Sequence, residues 1–150
     1  GRLPARSRPA EIEKVMRDAM VRYPARKAEL LARNYNVVAG MGGLSAARQQ
    51  LLSASGREGK IRFLKQFHGI GDKYSRNVLM DCYHPEFRNS VAVDSRIRSM
   101  TAELGLSFAT YEEEEDFYLD AARRAGLDGW TVDRLLYNFR DDAKAALKTQ

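Results

Sequence analysis

The apolar residues of this chain recur at helical spacing along most of its length. Ile12, Val15, Met16 and Ala19, for example, fall at i, i+3, i+4 and i+7, which places them on one face of an α-helix. Prolines and glycines divide the chain into eight such segments, and none alternates as a half-buried strand does. The predicted all-α fold has helices over approximately residues 9–23, 24–40, 44–52, 55–67, 75–82, 93–104, 110–125 and 130–147.

Three of these helices begin with a capping signal. Ser55 and Glu58 have the spacing of a capping box, and so do Thr110 and Glu113, in which each side chain of the pair accepts a backbone N–H of the first turn. Asp94 stands where the sixth helix should begin, and aspartate is a favoured N-cap residue. We therefore expect all three positions to be helix starts.

The composition is that of a globular protein, with 44% hydrophobic and 30% charged residues among 150. A chain of this length can fold without metal or disulfide staples, so we predict one helical domain over residues 1–150. Cys82 is the only cysteine, which excludes an internal disulfide and a self-contained iron–sulfur cluster. No window reaches the run of about 18 apolar residues of a membrane span, and the N-terminus lacks a signal-peptide layout. These features predict a soluble intracellular protein.

Charge is distributed unevenly along the chain. Residues 1–50 carry 10 Lys and Arg against 4 Asp and Glu, residues 51–100 carry 9 against 5, and residues 101–150 carry 6 against 11. A basic front with an acidic final third suggests that one face meets a polyanion. A solvated basic surface without a partner is the alternative that charge alone leaves open.

The chemically informative stretch lies between residues 64 and 96, where two helices meet at a Gly-x-Gly turn. Gly69 and Gly71 let the backbone turn sharply and approach another molecule closely, because no Cβ intervenes. The free N–H groups at the start of the following helix favour an anion. We predict a phosphate-binding turn over residues 68–73, formed by His68, Gly69, Ile70, Gly71, Asp72 and Lys73.

Two motifs in this stretch resemble those of the helix-hairpin-helix DNA glycosylase superfamily, which includes endonuclease III and the 8-oxoguanine glycosylases. Residues 67–73, Phe-His-Gly-Ile-Gly-Asp-Lys, match the family's Leu-Pro-Gly-x-Gly-x-Lys hairpin, and residues 93–96, Val-Asp-Ser-Arg, match its Val-Asp-x-His segment. The resemblance is strongest over residues 60–101. It implies two helical lobes around a DNA-binding cleft, with the hairpin at residues 61–83 and a second lobe from about residue 93 to 150, which the N-terminus helps to complete.

The resemblance also implies the roles of individual residues. The family's catalytic lysine falls on Lys73 and its invariant aspartate on Asp94. A lysine amine can attack the sugar and form a Schiff base, and a carboxylate stabilises the cationic sugar of the transition state. In related structures the hairpin holds a monovalent cation, K⁺ or Na⁺, through carbonyls that would map onto Lys65, Phe67 and Ile70. No other cofactor is implied. With a single cysteine, the chain resembles the branch of the family that lacks an iron–sulfur cluster.

Simpler roles remain open for the same residues. Lys73 could be an electrostatic clamp on DNA, and Asp94 could be only an N-cap. His68 and Arg96 stand where the family has proline and histidine, and we interpret His68 as a local contact. Trp130, Tyr137 and Phe139 are candidates for the wall of a pocket for an extruded base, with core packing as the alternative.

The sequence thus predicts a base-excision-repair DNA glycosylase with AP lyase activity, acting on an oxidised base in double-stranded DNA. We expect it to be a monomer in the cytoplasm or nucleoid, with no membrane partner. A helix-hairpin-helix DNA-binding module without catalysis is the alternative. A helical adaptor that binds a protein through its acidic tail is a third hypothesis.

Overall fold

The fold is helical throughout the part of the chain that the structure describes. A computed structural model describes residues 7–139, 141, 142 and 145, and these contain eight α-helices, one short 3₁₀ helix and no strand. The helices are α1 (Arg8–Asp18), α2 (Pro24–Gly40), α3 (Leu44–Ser53), α4 (Gly56–Leu64), α5 (Asp72–Asp81), the 3₁₀ helix Pro85–Phe87, α6 (Ser95–Glu103), α7 (Tyr111–Arg124) and α8 (Gly129–Asn138). The all-α prediction is confirmed, and Ala143 and Leu147 of the predicted last helix lie outside the described residues.

Side-chain capping marks the start of three of the described α-helices, α6, α7 and α8. Thr110 and Glu113 form the predicted capping box of α7, and the Asp94 carboxylate caps α6. The box predicted for Ser55 is wrong, because its side chain makes no cap hydrogen bond and Glu58 pairs instead with Arg57 at 2.6 Å. The Glu58 carboxylate thus belongs to a local ion pair and not to a helix cap.

Two clusters of buried side chains form the core. The first joins α4, α5 and the 3₁₀ helix, and the second joins α6 and α7. Members of the first are Ile61, Leu64, Leu79, Met80, Phe87 and Ala92; members of the second are Val91, Val93, Ile97, Met100, Tyr111 and Tyr118. The two clusters therefore meet along residues 91–93.

The Ser90–Val93 segment is a buried, non-helical stretch between the two clusters. The Val93 amide donates to the Val91 carbonyl at 3.0 Å, which closes a γ-turn about Ala92. Val91 and Val93 belong to the second cluster and Ala92 to the first. The sequence predicted Val93 as part of the sixth helix, and this is wrong, because α6 begins two residues later at Ser95. Gly129 at the start of α8 packs so closely on this segment that an added Cβ would lie 2.8 Å from the Ser90 amide nitrogen.

None of the helices described between residues 7 and 145 is both long enough and apolar enough to cross a bilayer.

Candidate functional site

The turn between α4 and α5 is held in place by α2. Asn34 on α2 donates to the His68 carbonyl at 3.0 Å and accepts from the His68 amide at 2.7 Å. Gly69 has φ +83°, and a Cβ there would lie 2.9 Å from Leu30 Cδ1, so glycine is needed for both the conformation and the close packing. His68 is thus a local contact through its backbone, and its side chain is exposed.

The second glycine of the turn faces open space. Gly71 is the N-cap of α5, and a Cβ added to it would meet no atom within 4 Å. Asp72 begins the helix and is paired with Lys65 at 2.5 Å. The hydrogen bond from Lys65 holds the pKa of Asp72 below its ordinary value. The positive charge of Lys65 thus neutralises the Asp72 carboxylate. The approach to the Gly71 backbone stays open.

Lys73 and Asp94, which are 21 positions apart in sequence, line the same concave surface. Lys73 is the second residue of α5 and is half-buried. Asp94 is half-buried at the start of α6, and its Oδ1 accepts the Arg96 amide at 2.8 Å and the Ile97 amide at 3.1 Å. The cap interaction uses one carboxylate oxygen and fixes the side chain at the helix start. The structure therefore brings together the two residues that the sequence motifs paired.

Two adjoining cavities meet at these residues. An outer groove of about 780 Å³ also contains Gly71 and Asp72, and an inner pocket measures about 190 Å³. The residues that line both are Lys73, Asp94, Arg96 and Tyr137. A substrate group that occupies both cavities would therefore contact the residues that line both, Lys73 and Asp94 among them.

The outer groove has a basic rim that sequence reasoning did not single out. Arg22, from the turn between α1 and α2, lines the groove together with Arg96 and Arg98 of α6. Arg98 is partly neutralised by Glu114 at 3.4 Å, and Arg96 lies 4.8 Å from the centre of the Tyr137 ring. Guanidinium groups around a groove suit phosphate contacts. Only the basic composition of the first third could have pointed to Arg22.

The inner pocket contains a second carboxylate that sequence reasoning also missed. Asp133 of α8 is 6% exposed, and its Oδ1 accepts the Ala92 amide at 2.8 Å. Burial raises the pKa of Asp133, an effect opposed by the hydrogen bond from Ala92 and by the positive charges of Arg134 and Lys73. Asp133 lies three residues from both Trp130 and Leu136, which puts the three side chains on one face of α8. This spacing was the one sequence signal that Asp133 faces inward.

The three aromatic candidates for a base pocket are in different places. Tyr137 lines both cavities and is 54% exposed. Trp130 is partly buried, packs against the first core cluster and against Tyr83, with ring centres 5.0 Å apart, and lines neither cavity. Phe139 is 54% exposed and lines neither cavity. Tyr137 alone of the three is placed to stack on a group in the site.

The three hairpin residues whose carbonyls are predicted to hold a cation differ in their surroundings. The Phe67 carbonyl accepts the Ile70 amide at 3.1 Å, which leaves one lone pair for an ion. Lys65 is exposed, and Ile70 packs against the first core cluster. The described residues contain no group of three or more His, Cys, Asp or Glu side chains that could hold a metal ion. A carbonyl site requires no such group, so the cation stays a prediction.

A buried ion-pair network fixes α5 against α7 behind the site. Arg76 is fully buried and donates from Nε to Glu115 Oε2 at 2.7 Å. Glu115 Oε1 accepts from Arg57 at 2.5 Å and from the Val91 amide at 3.1 Å. The same carboxylate thus holds both α5, which carries Lys73, and the Ser90–Val93 segment, which leads to Asp94.

Comparisons with protein-family models, with curated proteins and with solved structures gave no match to this chain.

Proposed function

We propose that this protein is a DNA glycosylase with associated AP lyase activity, which excises a damaged base and cleaves the strand. The observation that carries the proposal is that Lys73 and Asp94 line two adjoining cavities whose outer rim is basic. A nucleophilic amine beside a carboxylate, in a groove suited to phosphates, is the set of groups that the reaction needs. The resemblance of residues 67–73 and 93–96 to the helix-hairpin-helix glycosylases supports the same activity.

Each group has a defined part in the reaction. The Lys73 amine attacks C1′ and forms a C–N bond while the glycosidic bond breaks, and the base leaves with the bonding electron pair and a proton. The Asp94 carboxylate stabilises the cationic sugar. The Asp94 carboxylate takes up the proton that the amine loses and returns it to the departing base, which accounts for the proton that the base carries away. Opening of the sugar ring then gives an imine. Removal of a C2′ proton then expels the 3′ phosphate, and water hydrolyses the imine to release the enzyme.

The DNA would lie along the outer groove. Arg22, Arg96 and Arg98 would contact phosphates, and the open backbone at Gly71 would take another. A flipped nucleotide would reach the inner pocket past Tyr137, whose exposed ring can stack on a base. An oxidised purine as the substrate rests on the family resemblance alone.

A borohydride-trapping experiment tests the proposal. Lesion-containing or abasic duplex is incubated with the protein and borohydride, which reduces the imine to a stable covalent adduct. We expect an adduct with the wild-type protein and none with Lys73→Gln. Lys27→Gln is the control, because Lys27 is an exposed lysine of α2 that lines neither cavity.

Asp94→Asn separates catalysis from capping. Asparagine is as good an N-cap as aspartate, so this variant should fold normally and lose base excision. If wild-type protein gives no adduct and releases no base from a lesion panel, but still binds duplex, the non-catalytic DNA-binding module is correct. If it binds no duplex even at low salt, the helical adaptor is favoured.

A further inference from the structure

The segment that leads to Asp94 is hydrogen-bonded to two buried carboxylates, one on α7 and one on α8. In the Ser90–Val93 segment, the Val91 amide donates to Glu115 on α7 at 3.1 Å, and the Ala92 amide donates to Asp133 on α8 at 2.8 Å. Both carboxylates are buried, at 2% and 6% exposure. Glu115 has two arginine partners, so its burial is explained by charge pairing.

Asp133 has no comparable charge partner among the residues that the structure describes. The nearest cationic group paired with it is the Arg134 guanidinium, whose Nε lies 3.8 Å from Asp133 Oδ2. A carboxylate that is removed from water without a close counter-ion costs free energy. Its 2.8 Å bond to the Ala92 amide satisfies one buried backbone donor, and its location in the inner pocket places it beside Lys73 and Asp94.

The bond to Ala92 acts close to the reacting groups. Ala92 is two residues before Asp94, and both Ala92 and Val93 are buried. Release of the Ala92 amide would let the segment move, and Asp94 would move with it because it follows directly. Fixing a reacting group to within a fraction of an ångström requires this kind of support from its neighbours.

We propose that Asp133 is a positioning residue, which holds Asp94 in place at the cavities that Lys73 also lines by accepting the amide of Ala92. The catalytic consequence rests on the proposed glycosylase function, whereas the positioning itself does not. Asp133 touches no reacting atom in this role, and its effect on the reaction passes through Ala92.

Three variants separate the hydrogen bond from the charge and from helix stability. Asp133→Ala removes the acceptor. Asp133→Asn keeps an oxygen acceptor and removes the charge. Asp128→Ala is the matched control, because Asp128 caps the same helix through the Thr131 amide and lines neither cavity. All three are compared by thermal unfolding before any other measurement.

The first readout is the rate of adduct trapping on abasic duplex, measured beside duplex affinity. We expect Asp133→Ala to trap at least about tenfold more slowly, since a displacement of about 1 Å can cost on the order of 100-fold, and to bind duplex as the wild type does. Asp133→Asn should recover most of the rate. Asp128→Ala should keep the wild-type rate despite a lower melting temperature. Equal loss in Asp133→Asn and Asp133→Ala would overturn the proposal.

The second readout does not depend on activity. The Arg96 and Ile97 amides donate to Asp94 Oδ1, so their NMR shifts report where that carboxylate lies. We expect both signals to move in Asp133→Ala and to return towards wild type in Asp133→Asn. In the wild type, the Ala92 amide shift should follow the titration of Asp133, a measurement that needs no variant.

The outcomes distinguish this inference from the proposed function. If wild-type protein forms no adduct, the glycosylase assignment fails, and the NMR signals still decide whether Asp133 positions Asp94. If the Ala92 amide ignores the Asp133 titration, or the Arg96 and Ile97 signals stay unchanged in folded Asp133→Ala, the positioning role is overturned even with an active enzyme.

Discussion

The buried guanidinium of Arg76 and the buried carboxylate of Glu115 form an ion pair at 2.7 Å that joins α5 to α7. Arg76 lies one helical turn after Lys73, so this pair fixes the part of α5 that carries the Lys73 amine. Arg76 also donates to the Asp72 carbonyl at 3.1 Å and lies 4.3 Å from the centre of the Tyr111 ring. The pair therefore anchors the first turn of α5 from within the core.

We expect Glu115→Ala to destabilise the fold by about 3–5 kcal/mol, because it removes the closest partner of the buried Arg76 charge and leaves it the longer contacts to Glu112 at 3.2 Å and Asp72 at 3.7 Å. The Val91 amide also loses its acceptor. Urea unfolding measures the change as a shift in midpoint. Asp120→Ala on the same helix is the control, since its partners Arg123 and Arg124 are exposed and such pairs contribute at most about 1 kcal/mol. Equal effects of the two substitutions would contradict this account.

The two glycines of the hairpin turn should respond differently to alanine. Gly69→Ala places a side chain at φ +83° and against Leu30, so it should lower stability by about 1 kcal/mol or more. Gly71→Ala adds a methyl group that meets no protein atom, so its melting temperature should stay close to that of the wild type. If a phosphate approaches the Gly71 backbone, the same methyl group should weaken duplex binding. Unchanged duplex affinity in Gly71→Ala would argue against a phosphate there.

Arg22 should contribute to DNA binding through charge alone. Its side chain lines the outer groove and lies 5.5 Å from the Tyr23 ring. We expect Arg22→Gln to reduce the slope of log affinity against log salt by about 0.9, the value for one phosphate contact. Arg33→Gln is the control, because Arg33 lies outside the groove and pairs with Glu29 at 2.7 Å. Fluorescence anisotropy over a salt series measures both slopes, and parallel lines for wild type and Arg22→Gln would remove Arg22 from the interface.

The cap of α8 should make stability depend on pH below neutrality. The hydrogen bond from Thr131 holds the pKa of Asp128 below its ordinary value of 3.8. A carboxylate with a lowered folded-state pKa stabilises the fold fully above its unfolded pKa, and this contribution is lost as pH falls through the folded pKa. Asp128→Ala should therefore cost about 1 kcal/mol at neutral pH and progressively less in acid. Unfolding curves between about pH 2 and pH 7 give the difference.

Asp133 provides the opposite sign on the same helix. Burial raises its pKa, so its contribution to stability is fully present below the unfolded pKa and is lost as pH rises through the folded pKa. Replacement by asparagine should remove this loss. The stability of Asp133→Asn relative to wild type should therefore increase with pH across that range, and a constant difference would show that the carboxyl titrates as it does in the unfolded chain.

Local signals predicted much of this fold. Helix α2 begins at Pro24 and ends at Gly40, as the sequence predicted. Proline suits the first turn of a helix and cannot extend a preceding one. Thr110 with Glu113 formed the expected box. Ser55 with Glu58 did not, because the neighbouring Arg57 offered Glu58 a charged partner. Spacing identifies the residues that can cap a helix, and competition with neighbours decides whether they do.

The sequence located Lys73 and Asp94 but not the groups that support them. Motif spacing identifies residues within a short stretch of sequence. Glu115 and Asp133 lie on other helices, at 42 and 60 positions after Lys73. Glu115 belongs to an acidic run that the helix dipole alone accounts for. Its burial follows from lying four residues after Tyr111 and three before Tyr118, both of which are in the core. Only tertiary packing shows which acids of the run turn inward, and these are Glu114 and Glu115.

The alternation of residues 91–93 between two hydrophobic clusters links local opening to global unfolding. If either cluster loosened alone, Ala92 or its flanking valines would lose their contacts and pull the same backbone out of the other cluster. The helices on both sides should therefore behave as one cooperative unit, or foldon, in native-state hydrogen exchange. The amides of α5 and α6 should then exchange through a common opening, so that the amine and the carboxylate are presented together or not at all.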